Sequence, residues 1–125
     1  MVIRMDCLFC KIIKGELDCL KLYEDDDLII ILDAYPDCDG HTLIIPKNHI
    51  STFQDMPDDL LLKINEKAKE YSNVLMDKLG KKALSIVINY GDSQVIKHYH
   101  MHLLPDFKSK VTMSREEVYS KIMGK

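Results

Sequence analysis

Apolar residues recur at spacings of three and four through Leu60, Leu61, Ile64, Ala68, Tyr71, Val74, Leu75 and Leu79, and Gly80 follows. That period places one stripe along a long helix, and the stripe predicts core packing rather than a partner surface. Pro57 with Asp58 and Asp59 marks its start, because a fixed proline φ and negative charge both suit a helix N-terminus. Elsewhere the apolar pattern shortens to alternation or brief β-branched runs, which predict strands at residues 20–23, 28–33, 41–46, 83–89 and 98–104, with Pro105 ending the last. Glu24, Asp25, Asp26 and Asp27 read as a solvated hairpin turn between the first two strands. A short helix is expected over residues 7–14, capped by Asp6, stopped at Gly15 and striped by Leu8, Ile12 and Ile13. Ser114 and Glu117 form a capping-box pattern that opens a terminal helix through Ile122.

The chain has 125 residues, of which 46% are hydrophobic and 30% charged. This fits one domain spanning residues 1–125 and excludes disordered, collagenous and disulfide-rich classes. The net charge of -3 supplies no positive field for a long phosphate backbone, so no nucleic-acid partner is expected. The longest aliphatic run, residues 28–32, falls far short of the ~20 residues that cross a bilayer, and residues 1–6 hold no signal-like apolar block. The expectation is a cytoplasmic protein with no membrane partner.

All five histidines fall in two places. His41 and His49 flank the third expected strand. His98, His100 and His102 occupy alternate positions of the fifth, so in a strand they project together at ~7 Å intervals while Tyr99, Met101 and Leu103 face a core. One such histidine is easily structural; three in register point to function. Of the four cysteines, Cys7 and Cys10 form a close pair that in a reducing compartment indicates metal binding or redox chemistry. Cys19 and Cys38 stand alone and read as small hydrophobes.

The stretch HYHMHLL resembles the signature of the histidine triad (HIT) family. CLFCKIIKGE, YEDDDLIIILD, GHTLIIPKNH and INYGDSQ are similar, in order, to its Hint branch, so that the resemblance runs from about Cys7 to Pro105. It implies an α+β, HIT-like fold: an antiparallel sheet of about five strands with one long helix, a short N-terminal and a short C-terminal helix, usually as a homodimer. It also implies a structural zinc on Cys7, Cys10, His49 and His98. A close Cys pair with two distant imidazoles suits tetrahedral zinc, whereas a thioredoxin-like pair needs a strand leading into the cysteine-bearing helix, and six residues precede Cys7.

With four protein ligands such a metal has no open position, which leaves catalysis to His100 and His102. The resemblance assigns His100 as nucleophile toward the α-phosphorus of a nucleotide, giving a nucleotidyl-histidine that water cleaves. It places His102 at the leaving group, His41 near the phosphate, Asp33 at the ribose hydroxyls, Asn89 and Gln94 toward the phosphate, and Phe9 and Ile13 as an apolar wall for the base. Val95 departs from the family, which often has a phosphate-donating serine there, and Lys97 before the triad is unusual. The activity implied is hydrolysis or nucleotidyl transfer on purine nucleoside 5'-phosphate derivatives, phosphoramidase-like. The alternatives are a dinucleoside polyphosphate hydrolase, a non-catalytic nucleotide-binding regulatory scaffold, or a metallohydrolase using all three triad histidines, which leaves Cys7 and Cys10 without a role.

Overall fold

A computed structural model describes residues 7–125. Its elements are α1 (Leu8–Ile13), β1 (Lys21–Glu24), β2 (Leu28–Leu32), β3 (Thr42–Pro46), α2 (Asp58–Leu79), β4 (Leu84–Ile88), β5 (Met101–Pro105) and α3 (Arg115–Met123). The strands form one antiparallel sheet in the order β1-β2-β3-β5-β4.

Every residue of β2 and β3 is buried, because both faces of the sheet centre are covered. Leu28, Ile30, Leu32 and Ile44 join Met101 and Leu103 against α2 and α3, while Ile29, Ile31, Leu43 and Ile45 meet Cys7, Phe9 and Cys10 at α1. This accounts for continuous apolar runs in place of clean alternation. The predicted stripe of α2 is core: Ile64, Ala68 and Leu75 are buried, and Leu60, Leu61, Tyr71, Val74 and Leu79 pack beside them. Gly80 ends the helix in the left-handed conformation. The capping box of Ser114 and Glu117 is present at α3.

The acidic connection after β1 is more structured than a solvated turn. Asp25 Oδ1 accepts from the amides of Asp27 and Leu28 at 2.8 and 3.0 Å, and Lys63 of α2 reaches its other oxygen at 3.0 Å. Asp39, by contrast, is buried, accepting from the Thr112 and Met113 amides at 3.0 and 3.1 Å, and so fastens the approach to α3 onto the loop before β3. Next to it Gly40 has φ of +86°, and a β-carbon there would stand 2.5 Å from Leu79 Cδ1. The backbone conformation favours glycine immediately before His41, and a side chain there would also have to displace Leu79.

Most element ends differ from the sequence pattern by one residue, and two ends differ in kind. Asp6 lies outside the described residues, and α1 is capped by Cys7, whose Sγ accepts from the Cys10 amide at 3.3 Å. The fifth strand begins at Met101 rather than His98, because the preceding segment bonds to a loop instead of a strand: the Tyr99 amide donates to the Ile50 carbonyl at 2.7 Å. Pro105 closes β5 from within it, opposite Leu84. No helix of the described residues is long and apolar enough to cross a membrane.

Candidate functional site

The alternation around the triad places Tyr99, Met101 and Leu103 in the core against α2 and sends the histidines to the α1 face. His98 is fully buried, His100 nearly so, and His102 half-buried on β5 between Leu43 and Val87 of the neighbouring strands. The rings stand closer than an ideal strand predicts, with the His100 and His102 centroids 4.8 Å apart. Phe9 of α1 meets the edges of both His98 and His100.

Two separate groups result. In the first, Cys7 Sγ lies 3.3 Å from His98 Nδ1, and Cys10 Sγ lies 3.6 Å from the same nitrogen and 3.4 Å from His49 Nδ1. All four donor atoms fall within 4.8 Å of one another and can hold a metal ion. His98 Nε2 donates to the Pro46 carbonyl at 2.8 Å, which fixes its proton there and turns the Nδ1 lone pair toward the thiols. Burial favours this neutral ring, pushing its pKa down to about 4.

The second group lines a cleft of about 370 Å³ that contains His100, His102, His41, Asp33, Asn89 and Phe9. The carbonyl of His98 accepts from His100 Nδ1 at 2.7 Å, so Nε2 of His100 keeps its lone pair. At the next pair, the Asp37 amide donates to His41 Nδ1 at 3.1 Å, which leaves the proton on His41 Nε2. That nitrogen lies 2.8 Å from His102 Nδ1, which accepts, and the proton of neutral His102 is therefore on Nε2, a buried atom with no protein partner among the described residues. Burial lowers the pKa of His41, His100 and His102 alike.

Asp33 faces this chain at 3.4 Å from His41 Nε2, and its other oxygen caps the loop by accepting from the Tyr35 amide at 2.8 Å. Asp33, His41 and His102 are close enough to bind a metal, but His41 cannot offer Nε2 as a ligand while Nδ1 accepts from a backbone amide. His41 and His102 share a hydrogen bond instead, with the Asp33 carboxylate beside it.

Two residues expected in the cleft are elsewhere. Gln94 is buried with its amide nitrogen committed to the Ser51 carbonyl at 2.6 Å, because the loop after β4 folds its polar side chain inward. Ile13 packs beside the α1 core cluster, and Ile12 takes its place in the cleft because one helical residue turns the side chain by about 100°. Sequence reasoning missed Ser93 and Arg115, which also line the cleft; α3 brings Arg115 there through long-range packing that no local pattern encodes.

Three imidazoles at alternate positions leading into β5 of an antiparallel sheet, beside a bis-cysteine group that shares the first of them, define a histidine triad protein. Residues 14–109 match the HIT domain, and the chain belongs to that family. It is 43% identical over 102 residues to an Arabidopsis thaliana protein named adenylylsulfatase, a match covering 80% of this chain and 52% of the relative, so the chain spans about half the length of that protein. It is 37% identical to an adenosine 5'-monophosphoramidase of Candida albicans, over 84% of this chain and 73% of the other. The crystal structure of a zinc-bound histidine triad family protein from Mycobacterium smegmatis superposes with a TM-score of 0.87 at 28% identity, covering 96% and 92% of the two chains.

Proposed function

We propose that this protein hydrolyses purine nucleoside 5'-phosphate derivatives at the α-phosphorus through a covalent nucleotidyl intermediate on His100. The observation that carries the reading is the pair of opposite tautomers: a bare Nε2 on His100 and a protonated Nε2 on His102, both in one cleft. His100 Nε2 attacks phosphorus and forms the P–N bond as the bond to the leaving group breaks. His102 Nε2 gives its proton to that group, and His41 supports the transfer by hydrogen bonding to the far side of the ring. Water then attacks the phosphoryl-imidazole, returning its proton to His102 and releasing the nucleoside monophosphate and His100.

Asp33 is positioned to accept from the ribose hydroxyls, and Phe9 and Ile12 offer an apolar wall for the base. The Arabidopsis and Candida relatives support the class, since both names describe an adenosine 5'-phosphoryl group and differ in what is attached to it. Quenching the protein during turnover of adenosine 5'-phosphoramidate and weighing it tests the reading: the expected result is an added nucleotidyl mass on the peptide bearing His100, and turnover without that adduct contradicts it.

We also propose zinc for the cysteine–histidine group. Zinc–sulfur bonds of about 2.3 Å and zinc–nitrogen bonds of about 2.0 to 2.1 Å put tetrahedral ligand atoms about 3.3 to 3.8 Å apart. The closest donor pairs here, at 3.3 to 3.6 Å, fit that set. Cys7, Cys10, His49 and His98 would hold the ion, which contributes a cross-link between α1 and the sheet. Finally, β4 is an open edge strand with Ile86 and Ile88 exposed, and we propose that it pairs in a homodimer.

A further inference from the structure

Lys97 precedes the triad by one residue, and its ammonium group is held by main chain: Nζ donates to the Gly91 carbonyl at 2.8 Å and to the Gln94 carbonyl at 2.6 Å. An ammonium has three donors, so one remains. Most ion pairs of the molecule join lysines to carboxylates, as Lys47 meets Glu24 and Lys63 meets Asp25 and Asp27. Lys97 has no carboxylate partner among the described residues. It is a fixed and uncompensated cation.

Its location gives this charge a use. A second hollow, lined by Lys97, Ser51 and His49, shares Leu8, Val95 and Ile96 with the cleft that holds His100 and His102. The two therefore meet across the side chain of Val95, which is 90% exposed. In sheet order the catalytic cleft runs from Asp33 beyond β2, past His41 at β3, to His100 and His102 at β5. A nucleoside lying from Asp33 toward His100 brings its phosphorus to the imidazoles, and whatever else is bonded to that phosphorus continues toward Val95 and Lys97. The rim there is apolar at Leu8, Val95 and Ile96 and cationic at its far side.

We propose that this second hollow is the leaving-group subsite and that Lys97 selects substrates whose leaving group carries a negative charge a few atoms beyond the scissile bond. The inference rests on the nucleotide-hydrolase reading of the cleft. Carbonyl anchoring lets Lys97 meet an anion with little loss of side-chain freedom, whereas a lysine recruited from solvent gives up several rotors. Because Lys97 is exposed, its attraction is screened by salt and modest in size.

The test compares adenosine 5'-phosphoramidates of β-alanine and of β-alanine amide, which share an alkylamine leaving atom and differ in the terminal charge. At low ionic strength kcat/KM should favour the carboxylate by about two- to fivefold, the size of an exposed charge pair, and the ratio should shrink as salt rises. Lys97→Met should bring the ratio close to one and Lys97→Arg should retain it. Equal turnover of the two conjugates by the parent protein overturns the proposal, as does a preference that survives Lys97→Met. Should Lys97→Met be poorly folded, Lys97→Gln, which removes the charge and retains an amide donor, gives the same reading. If neither conjugate is turned over while the protein is folded, the hydrolase reading fails and this inference fails with it; turnover without charge preference overturns only the inference.

Discussion

The Nε2 atom of His41 lies 2.8 Å from Nδ1 of His102, and the backbone amide of Asp37 decides which ring carries the shared proton. A main-chain donor at His41 thereby arms His102 as a proton donor without requiring an imidazolium. If this is its role, His102→Ala should lose about 10² to 10⁴ in rate on alkylamine leaving groups, the usual worth of general acid catalysis, and far less on an acidic phenol or fluoride. His100→Ala should abolish turnover and adduct for every leaving group. Equal losses across leaving groups would reduce His102 to a positioning residue.

Burial depresses the pKa of His41 and His102 below the ordinary 6.5, against the opposing pull of Asp33 and Asp37. The unfolded chain therefore takes up these protons first as pH falls, and the slope of stability with pH is positive in that window. Stability should be level above about pH 7 on account of this pair and decline as pH drops from about 6.5 toward the folded values. Imidazole chemical shifts recorded against pH will check it; a midpoint above 6.5 for either ring contradicts the assignment.

Asp33 presents a carboxylate beside the cleft that keeps one oxygen on the Tyr35 amide. A charge-assisted hydrogen bond is worth about 1.5 to 3 kcal/mol, so AMP should bind about 10- to 100-fold more tightly than its 2'-deoxy form. Calorimetry on the two ligands decides, and equal affinity would leave Asp33 as a loop cap alone.

The triad was legible because a period of two survives any error in strand boundary: shifting the start of β5 from His98 to Met101 leaves Tyr99 and Met101 on the core side. The α2 stripe was legible for the same reason at a period of 3.6. What local pattern could not supply was the direction of loop side chains. Gln94 sits two residues from cleft-lining Ile96 yet turns inward to Ser51, and Lys97 looks like a surface charge until the fold brings two carbonyls to it.

Metal content and thermal stability should fall together in Cys10→Ser, because binding free energy at such a group is also folding free energy. Cys10 Sγ approaches both imidazole ligands, so its loss disrupts more of the set than an end ligand would. Elemental analysis with a melting curve measures both, and stoichiometric metal retained in a Cys7 and Cys10 double variant would end the zinc assignment.

Tyr99 is 1% exposed, and its hydroxyl has no partner among the described residues in the core beneath β5. Burial pushes its pKa up to about 12. An unpaired hydroxyl in such surroundings costs about 1 to 3 kcal/mol, so Tyr99→Phe should leave stability unchanged or raise it by up to about that amount. A denaturant midpoint that falls would show that the hydroxyl has a partner.

His98 belongs to both halves of the site: its ring ends at the two cysteines, and its carbonyl accepts from Nδ1 of His100. If the group binds zinc and His100 is the nucleophile, metal loading and catalytic readiness are linked through a single peptide unit. If zinc fills the group, its removal should loosen the support of that carbonyl, and activity should fall at least as early as the melting temperature when the metal is chelated. The cross-link would then serve as an inspection step, in which only a correctly assembled α1 and sheet give a competent His100.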